Sequence, residues 1–290
     1  MTDTTRKDVI RFPVLILLTL FPFAASNLRA QYPGEFAEFS YPRQAEIVRL
    51  GGMYTAVGRG IAAVEQNPAS LAFQENVQAT FSNGFNNDYF ETELTSAWSS
   101  AVMLYVPAWQ TSIALSHHAY TTEYEGWNEY PIQSKWAVQR TDLHLAHRMS
   151  DILAAAVSVH RFDVSANASQ GRERQDLMRS CWDISLSLAG RTPLPVIADH
   201  DELRFGVALD NVHSTDINFY DNDRYARPLH QCLRFAVAYL CNPEFSDAWP
   251  LDPVAFLVTA QGAMHGTEYS FDVWGEYGVA GELRLFEVLL

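Results

Sequence analysis

Residues 181–189 read CWDISLSLA, and in them Trp182, Ile184, Leu186 and Leu188 alternate with Asp183, Ser185 and Ser187. Successive side chains of a strand point to opposite faces, so a period of two predicts a strand with one apolar and one polar face. The pattern continues outward from this stretch. In 202–212, Leu203, Phe205, Val207 and Leu209 alternate with Arg204, Gly206, Ala208 and Asp210. In 229–240, Leu233, Phe235, Val237 and Tyr239 alternate with Cys232, Arg234, Ala236 and Ala238. The same reading marks strands near 77–85, 95–106, 109–119, 136–149, 152–162, 254–264 and 273–285, ten in all. Each is about the 9–11 residues that a tilted strand needs to cross a bilayer. The chain therefore reads as all-β.

The connections bear on whether these strands form a soluble sandwich or a membrane barrel. Segments 86–94, 120–135, 163–180 and 214–228 are long, polar and acidic, whereas Pro107-Ala108 and Ser150-Asp151 are very short. Long loops alternating with short turns are the pattern of an antiparallel transmembrane β-barrel. Segments 190–201 and 241–253 are longer than that pattern asks. Aromatic residues near strand ends (Tyr105, Trp109, Tyr120, Trp136, Trp182, Tyr239, Trp249) suit an interface between hydrocarbon and water. An exported β-sandwich with buried aromatics is the alternative.

Upstream of the strands, residues 49–73 read RLGGMYTAVGRGIAAVEQNPASLAF. On these residues alone the segment is a small-residue helical hairpin ended by Asn67-Pro68. It also resembles the N-terminal box, approximately R-x-x-G-M-G-G-A-x-x-A-V … A-x-x-x-N-P-A-x-L-A, of an outer-membrane β-barrel superfamily. That superfamily includes the PorV/PorQ-like proteins of type IX secretion and, more distantly, FadL-like transporters of hydrophobic compounds. The close match covers about 25 residues, and Met53 follows the glycine pair where the family's Met-Gly usually precedes it.

The resemblance implies that 41–73 forms an N-terminal helical plug or hatch at the periplasmic end of a barrel built from 77–290. Gly51 and Gly52 would allow close approach of backbone or wall, and Asn67 and Pro68 would fix the exit into the first strand. It implies a non-enzymatic role in secretion or surface attachment of cargo proteins, alongside outer-membrane lipid, lipopolysaccharide and other envelope proteins. The alternative is a FadL-like transporter of small hydrophobic compounds. Such barrels usually have about fourteen strands. A chain that stops at Leu290 with ten is therefore expected to lack about four strands, with a smaller barrel as the other reading.

The N-terminus fits export. Arg6, Lys7 and Arg11 precede an apolar run from Phe12 to Ala25, too short for a membrane-spanning helix but suited to a signal peptide over 1–30. Cleavage is expected after Ala30, with Ser26 as the other choice. The whole chain has 20 basic and 34 acidic side chains, and without residues 1–30 its net charge is about −16. No basic run is present, which argues against nucleic acid as a partner. The expected location is the cell outer membrane, with 31–290 as a single domain.

Candidate chemistry is sparse. His117 and His118 are adjacent, and His144 and His147 are three apart, so each pair is expected to split between the faces of its strand. No zinc-protease, nucleophile-elbow or phosphate-loop motif occurs, no nucleophile and base can be placed together, and no cofactor or metal is expected. Asp221-Asn222-Asp223 lacks the spacing and distal glutamate of a calcium loop and reads as a solvated turn. Cys181, Cys232 and Cys241 read as apolar fillers, a bridge to Cys181 being the alternative. On the polar faces, Arg140, Asp142, His144, Arg148, Asp183, Arg204, Asp210 and Arg234 are expected to face the lumen, where mixed charges can pair and hold water. Glu276, Glu282 and Arg284 fall on the polar face of the tenth strand. A hydrated ion-pair network that holds the plug is the preferred reading, and a substrate path the other.

Overall fold

The computed structural model describes residues 54–58, 60–88, 93–126, 132–170, 173–194, 201–213, 216–218, 226–228, 231–241, 255–265 and 274–284. The expected signal peptide, Gly51, Gly52 and the Asp221–Asp223 turn lie outside them. Ten strands form one antiparallel sheet: β1 (Gln78–Asp88), β2 (Glu93–Val106), β3 (Thr111–Gly126), β4 (Ile132–Arg148), β5 (Leu153–Gln170), β6 (Glu173–Pro193), β7 (Glu202–Asp210), β10 (Cys232–Cys241), β11 (Ala255–His265) and β12 (Trp274–Arg284). A small pair, β8 (Asp216–Asn218) with β9 (Ala226–Pro228), is inserted between β7 and β10. Each large strand pairs with its neighbour in sequence, and β1 and β12 are the two edges. All ten strands expected from the alternation are present. No helix among the described residues is long and apolar enough to cross a membrane.

The strands run further than their apolar alternation. β5 has 18 residues and β6 has 21, and their ladder continues from Asp163↔Ser180 to Gln170↔Glu173. β3 and β4 likewise pair from Tyr120↔Val138 to Gly126↔Ile132. The expected long loops 120–135 and 163–180 are therefore mostly hairpin. Backbone pairing needs no apolar face, so a ladder can continue after the sequence period has faded. The expected loop 214–228 similarly contains β8 and β9.

Residues 54–73 lie against one face of the sheet. The expected helical plug contains no α-helix among the described residues, but two 3-10 helices, Ile61–Glu65 and Pro68–Phe73. Gly58 and Gly60 have φ of +53° and +60°, which interrupts helical geometry before Ile61. Asn67 is extended, as a residue before proline prefers, and its side chain accepts the Ala69 N–H while Pro68 occupies the first helical position. Tyr54, Val57, Ile61, Val64 and Leu71 pack on a wall rich in small residues, including Ala101, Ala114, Ala146, Ala154, Ala156 and Ala189. Small wall side chains leave the volume that the segment fills.

Across the ladder the two faces have opposite polarity. One outward row joins Leu104, Ile113, Leu145, Val157, Leu186, Leu209 and Leu233 through direct register partners on successive strands. A second row joins Val102, Leu115, Leu143, Val159 and Ile184. The next row is mixed: Ser100, His117, Thr141, Arg161 and Trp182. On the face carrying 54–73, by contrast, Ser99, Ser116, His118, Asp142, His144, Ser158, His160, Asp183 and Thr259 are buried. Along the first two rows the sheet thus shows apolar side chains, while its covered face buries a polar set beside its alanines.

Candidate functional site on the covered face

The covered face has a zone that grips 54–73 and a zone that forms a polar network. In the first, Asn67 is fully buried, and its Nδ2 donates to the Thr55 carbonyl and to the Leu188 carbonyl, both at 2.9 Å. The Ala69 N–H is shared between Asn67 Oδ1 and Ser187 Oγ on β6, at 3.2 and 3.1 Å. Ser112 Oγ donates to the Leu71 carbonyl at 2.8 Å, and Thr55 N donates to Gln261 Oε1 at 3.1 Å. The 3-10 helices leave carbonyls and amides over, and the wall supplies partners for them.

Arginines complete the grip. Arg148 Nε donates to the Ala72 carbonyl at 3.3 Å, Arg204 Nη1 to Val57 at 2.7 Å, and Arg234 Nη2 to Gln66 at 3.4 Å. Each is also ion-paired: Arg148 with Glu75, Arg204 with Glu202, and Arg234 with Asp210. Arg191 stacks over the Phe73 ring, 4.5 Å from its centroid. Four of the expected lumen residues, Arg148, Arg204, Asp210 and Arg234, therefore hold or brace the segment. Pro68 is buried at its helix start.

The second zone is centred on Asp142, with no exposure. Its Oδ2 receives Ser116 Oγ and Arg140 Nε, each at 2.9 Å, and lies 3.3 Å from His118 Nε2. Its Oδ1 lies 2.8 Å from His160 Nδ1. An ionised carboxylate only accepts, so the neighbouring hydrogens are determined by it. Ser116 donates to Asp142 and can then only accept from His144 Nε2, 3.0 Å away. Neutral His144 consequently accepts at Nδ1 from Ser158 Oγ, at 2.7 Å. In its neutral form His160 by the same logic carries its hydrogen on Nδ1, leaving Nε2 to accept from Ser185 Oγ at 2.7 Å. His118 Nδ1 reaches the segment itself, 3.5 Å from Glu65 Oε1.

Arg140, Asp142 and His144 thus belong to one network, which is largely buried rather than the hydrated ion-pair network expected from their shared face. Asp183 lies opposite His160 in the β5–β6 ladder, and its Oδ1 accepts from the backbone N–H groups of Ile184 and His213. The histidine pairs split as expected: His118 and His144 face in, while His117 faces out, its Nδ1 2.8 Å from Thr141 Oγ1. His160, Ser116, Ser158, Arg191 and Gln261 were not singled out from sequence, and Ser185 and Ser187 entered only as polar positions of an alternation. The period of two places each on the covered face, but only register reveals which meet. The three cysteines are free, and among the described residues no group of three or more His, Cys, Asp or Glu side chains is arranged to hold a metal.

No family model matches the chain, and no curated protein sequence does.

Proposed function

We propose that the chain is an outer-membrane β-barrel protein of the PorV/PorQ type, with 41–73 as a hatch held inside the wall. Its role is to assist the secretion or surface attachment of cargo proteins. The observation that carries the membrane reading is the inverted polarity of the sheet. Leu145, Leu186, Phe235 and Val237 are 42, 46, 40 and 51% exposed, while Asp142 and His144 are fully buried. Fully burying a Leu, Val or Phe side chain gains about 1.5–3 kcal/mol. One apolar row crossing seven strands and another crossing five forgo much of that gain in water and recover it in hydrocarbon.

The hatch reading is supported by the grip on 54–73, in which three arginines and Asn67 anchor backbone carbonyls. A transporter of small hydrophobic compounds would want an apolar chamber. The charged covered face disfavours that alternative. Cell fractionation and electrophoresis with and without heating test the membrane reading. The protein should sediment with outer membranes and migrate differently when unheated. Recovery as a detergent-free periplasmic monomer would overturn the proposal.

A further inference from the structure

Three strands of the covered face bring together an arrangement that no local motif announces. His160 on β5 has Asp142 Oδ1 on one side, 2.8 Å from Nδ1, and Ser185 Oγ on the other, 2.7 Å from Nε2. The hydrogen assignment derived above puts the proton on Nδ1 and leaves Nε2 free to act as a base. Asp142 is itself held by Arg140 and Ser116, so the imidazole is oriented through a braced carboxylate. A hydroxyl, a base and an orienting acid in hydrogen-bond sequence are what activate a serine, whatever the fold that carries them.

The surroundings of Ser185 differ from those of an ordinary wall serine. The ladder between β6 and β7 ends at Leu186↔Leu209, immediately beside it. Beyond Asp210 the chain turns away through Asn211, whose φ is +53°, and returns the Val212 N–H to the Ile184 carbonyl at 2.9 Å. Local departures from regular pairing recur beside active sites, where they re-aim a side chain. Ser187, two residues along β6, binds the Ala69 N–H, so Ser185 lies at the border of the area covered by 54–73. Ser185 and His160 each keep 5% exposure, whereas Asp142 has none.

The geometry points to Ser185 as a nucleophile for acyl transfer, with His160 as its base and Asp142 as the positioning residue. Asp183, two residues away on the same strand and 1% exposed, disfavours an anionic substrate, so the substrate class we assign is a neutral ester. Ser185 Oγ bonds to the ester carbonyl carbon as its proton passes to His160 Nε2. The carbon–oxygen bond to the alcohol then breaks, and the alcohol leaves with that proton. Water attacks the acyl-serine, giving its proton to His160, which returns it to Ser185 as the carboxylic acid departs. This inference rests on the wall geometry and not on the membrane reading.

The test is covalent labelling of the full-length folded protein with an alkyl fluorophosphonate, followed by peptide mass spectrometry. The expected result is one label per chain, on Ser185, lost in Ser185→Ala and slowed at least about 100-fold in His160→Gln. Folded protein should also release p-nitrophenol from p-nitrophenyl acetate, with Ser185→Ala inactive at an unchanged circular dichroism spectrum. Loss of the fold in a variant leaves the decision with the wild-type protein, whose label must disappear on heat unfolding. An unlabelled Ser185 in the folded protein, or labelling that survives unfolding, would overturn the proposal. Either outcome is independent of whether the protein fractionates with membranes.

Discussion

The Thr55 carbonyl oxygen occupies the space where Gly206 would carry a Cβ, and Asn67 Nδ2 closes the same space at 2.6 Å. Gly206 lies on the covered face of β7 between Arg204 and Ala208, so its missing side chain is what lets residues 54–73 settle on the wall. Gly58 plays the matching part within the segment: its φ is positive, and a Cβ there would lie 2.5 Å from the Ser70 Cβ.

Gly206→Ala should therefore displace the segment. Overpacking costs about 1–3 kcal/mol, because neither a backbone carbonyl nor a fully engaged amide can move aside alone. Thermal unfolding should show the loss, and limited proteolysis should cut 54–73 sooner than in wild type. An unchanged digestion pattern would mean that the segment does not rest on β7.

The two faces of β7 and β10 make a sharper contrast. Val207→Arg and Phe235→Arg place charge on the outward apolar surface and should cost about 2–4 kcal/mol near a bilayer midplane. Ala208, 1% exposed on the covered face, should instead reject Arg for lack of room and accept Ser. Folding titrations in lipid vesicles and in detergent measure the difference. Equal tolerance of Arg at 207 and Ser at 208 would mean that lipid does not meet the outward face.

How much of this could be read in the sequence follows from what a period of two encodes. It tells which face a residue occupies: the alternations around Leu186, Val207 and Phe235 place their three strands and both faces of each, and the same period locates the other seven strands. It does not give register. Asp142, His160 and Ser185 are 18 and 25 residues apart along the chain and meet only because β4, β5 and β6 pair as they do. The hairpin ends escaped for a related reason: around Tyr120–Val138 and Asp163–Ser180 the apolar alternation fades while backbone pairing continues. In residues 54–73, small apolar residues fit a helix as well as two 3-10 turns. The outcome there depends on Gly58, Gly60 and Asn67-Pro68 interrupting the run.

The polar network should be sensitive to its centre. Asp142→Ala removes the acceptor shared by Arg140, Ser116 and His160 and leaves a charged guanidinium without its counter-ion. Breaking a buried ion pair by removing one partner costs about 3–5 kcal/mol. Asp142→Asn keeps the shape and one acceptor, so denaturant midpoints should fall in the order wild type, Asn, Ala. Identical midpoints for wild type and Asp142→Ala would show that Arg140 and the histidines are satisfied without the carboxylate.

Asn67 distinguishes the two transport readings. Its side chain closes three hydrogen bonds: it accepts from Ala69 and donates to Thr55 and to Leu188 on the wall. Truncation to Ala takes a donor from the buried Thr55 carbonyl and from the Leu188 carbonyl, and leaves the Ala69 N–H with Ser187 Oγ as its acceptor. At about 1 kcal/mol per lost hydrogen bond, and more where a buried group stays unsatisfied, the segment should loosen by about 2–4 kcal/mol. If the segment serves cargo export, cells carrying Asn67→Ala should lose cargo from their surface while uptake of a hydrophobic compound stays as it was. If it gates a path for small apolar molecules, uptake should change with cargo display intact. Measuring both phenotypes in the same cells, with protein level as a control, decides between them, and normal display beside altered uptake would reject the secretion reading.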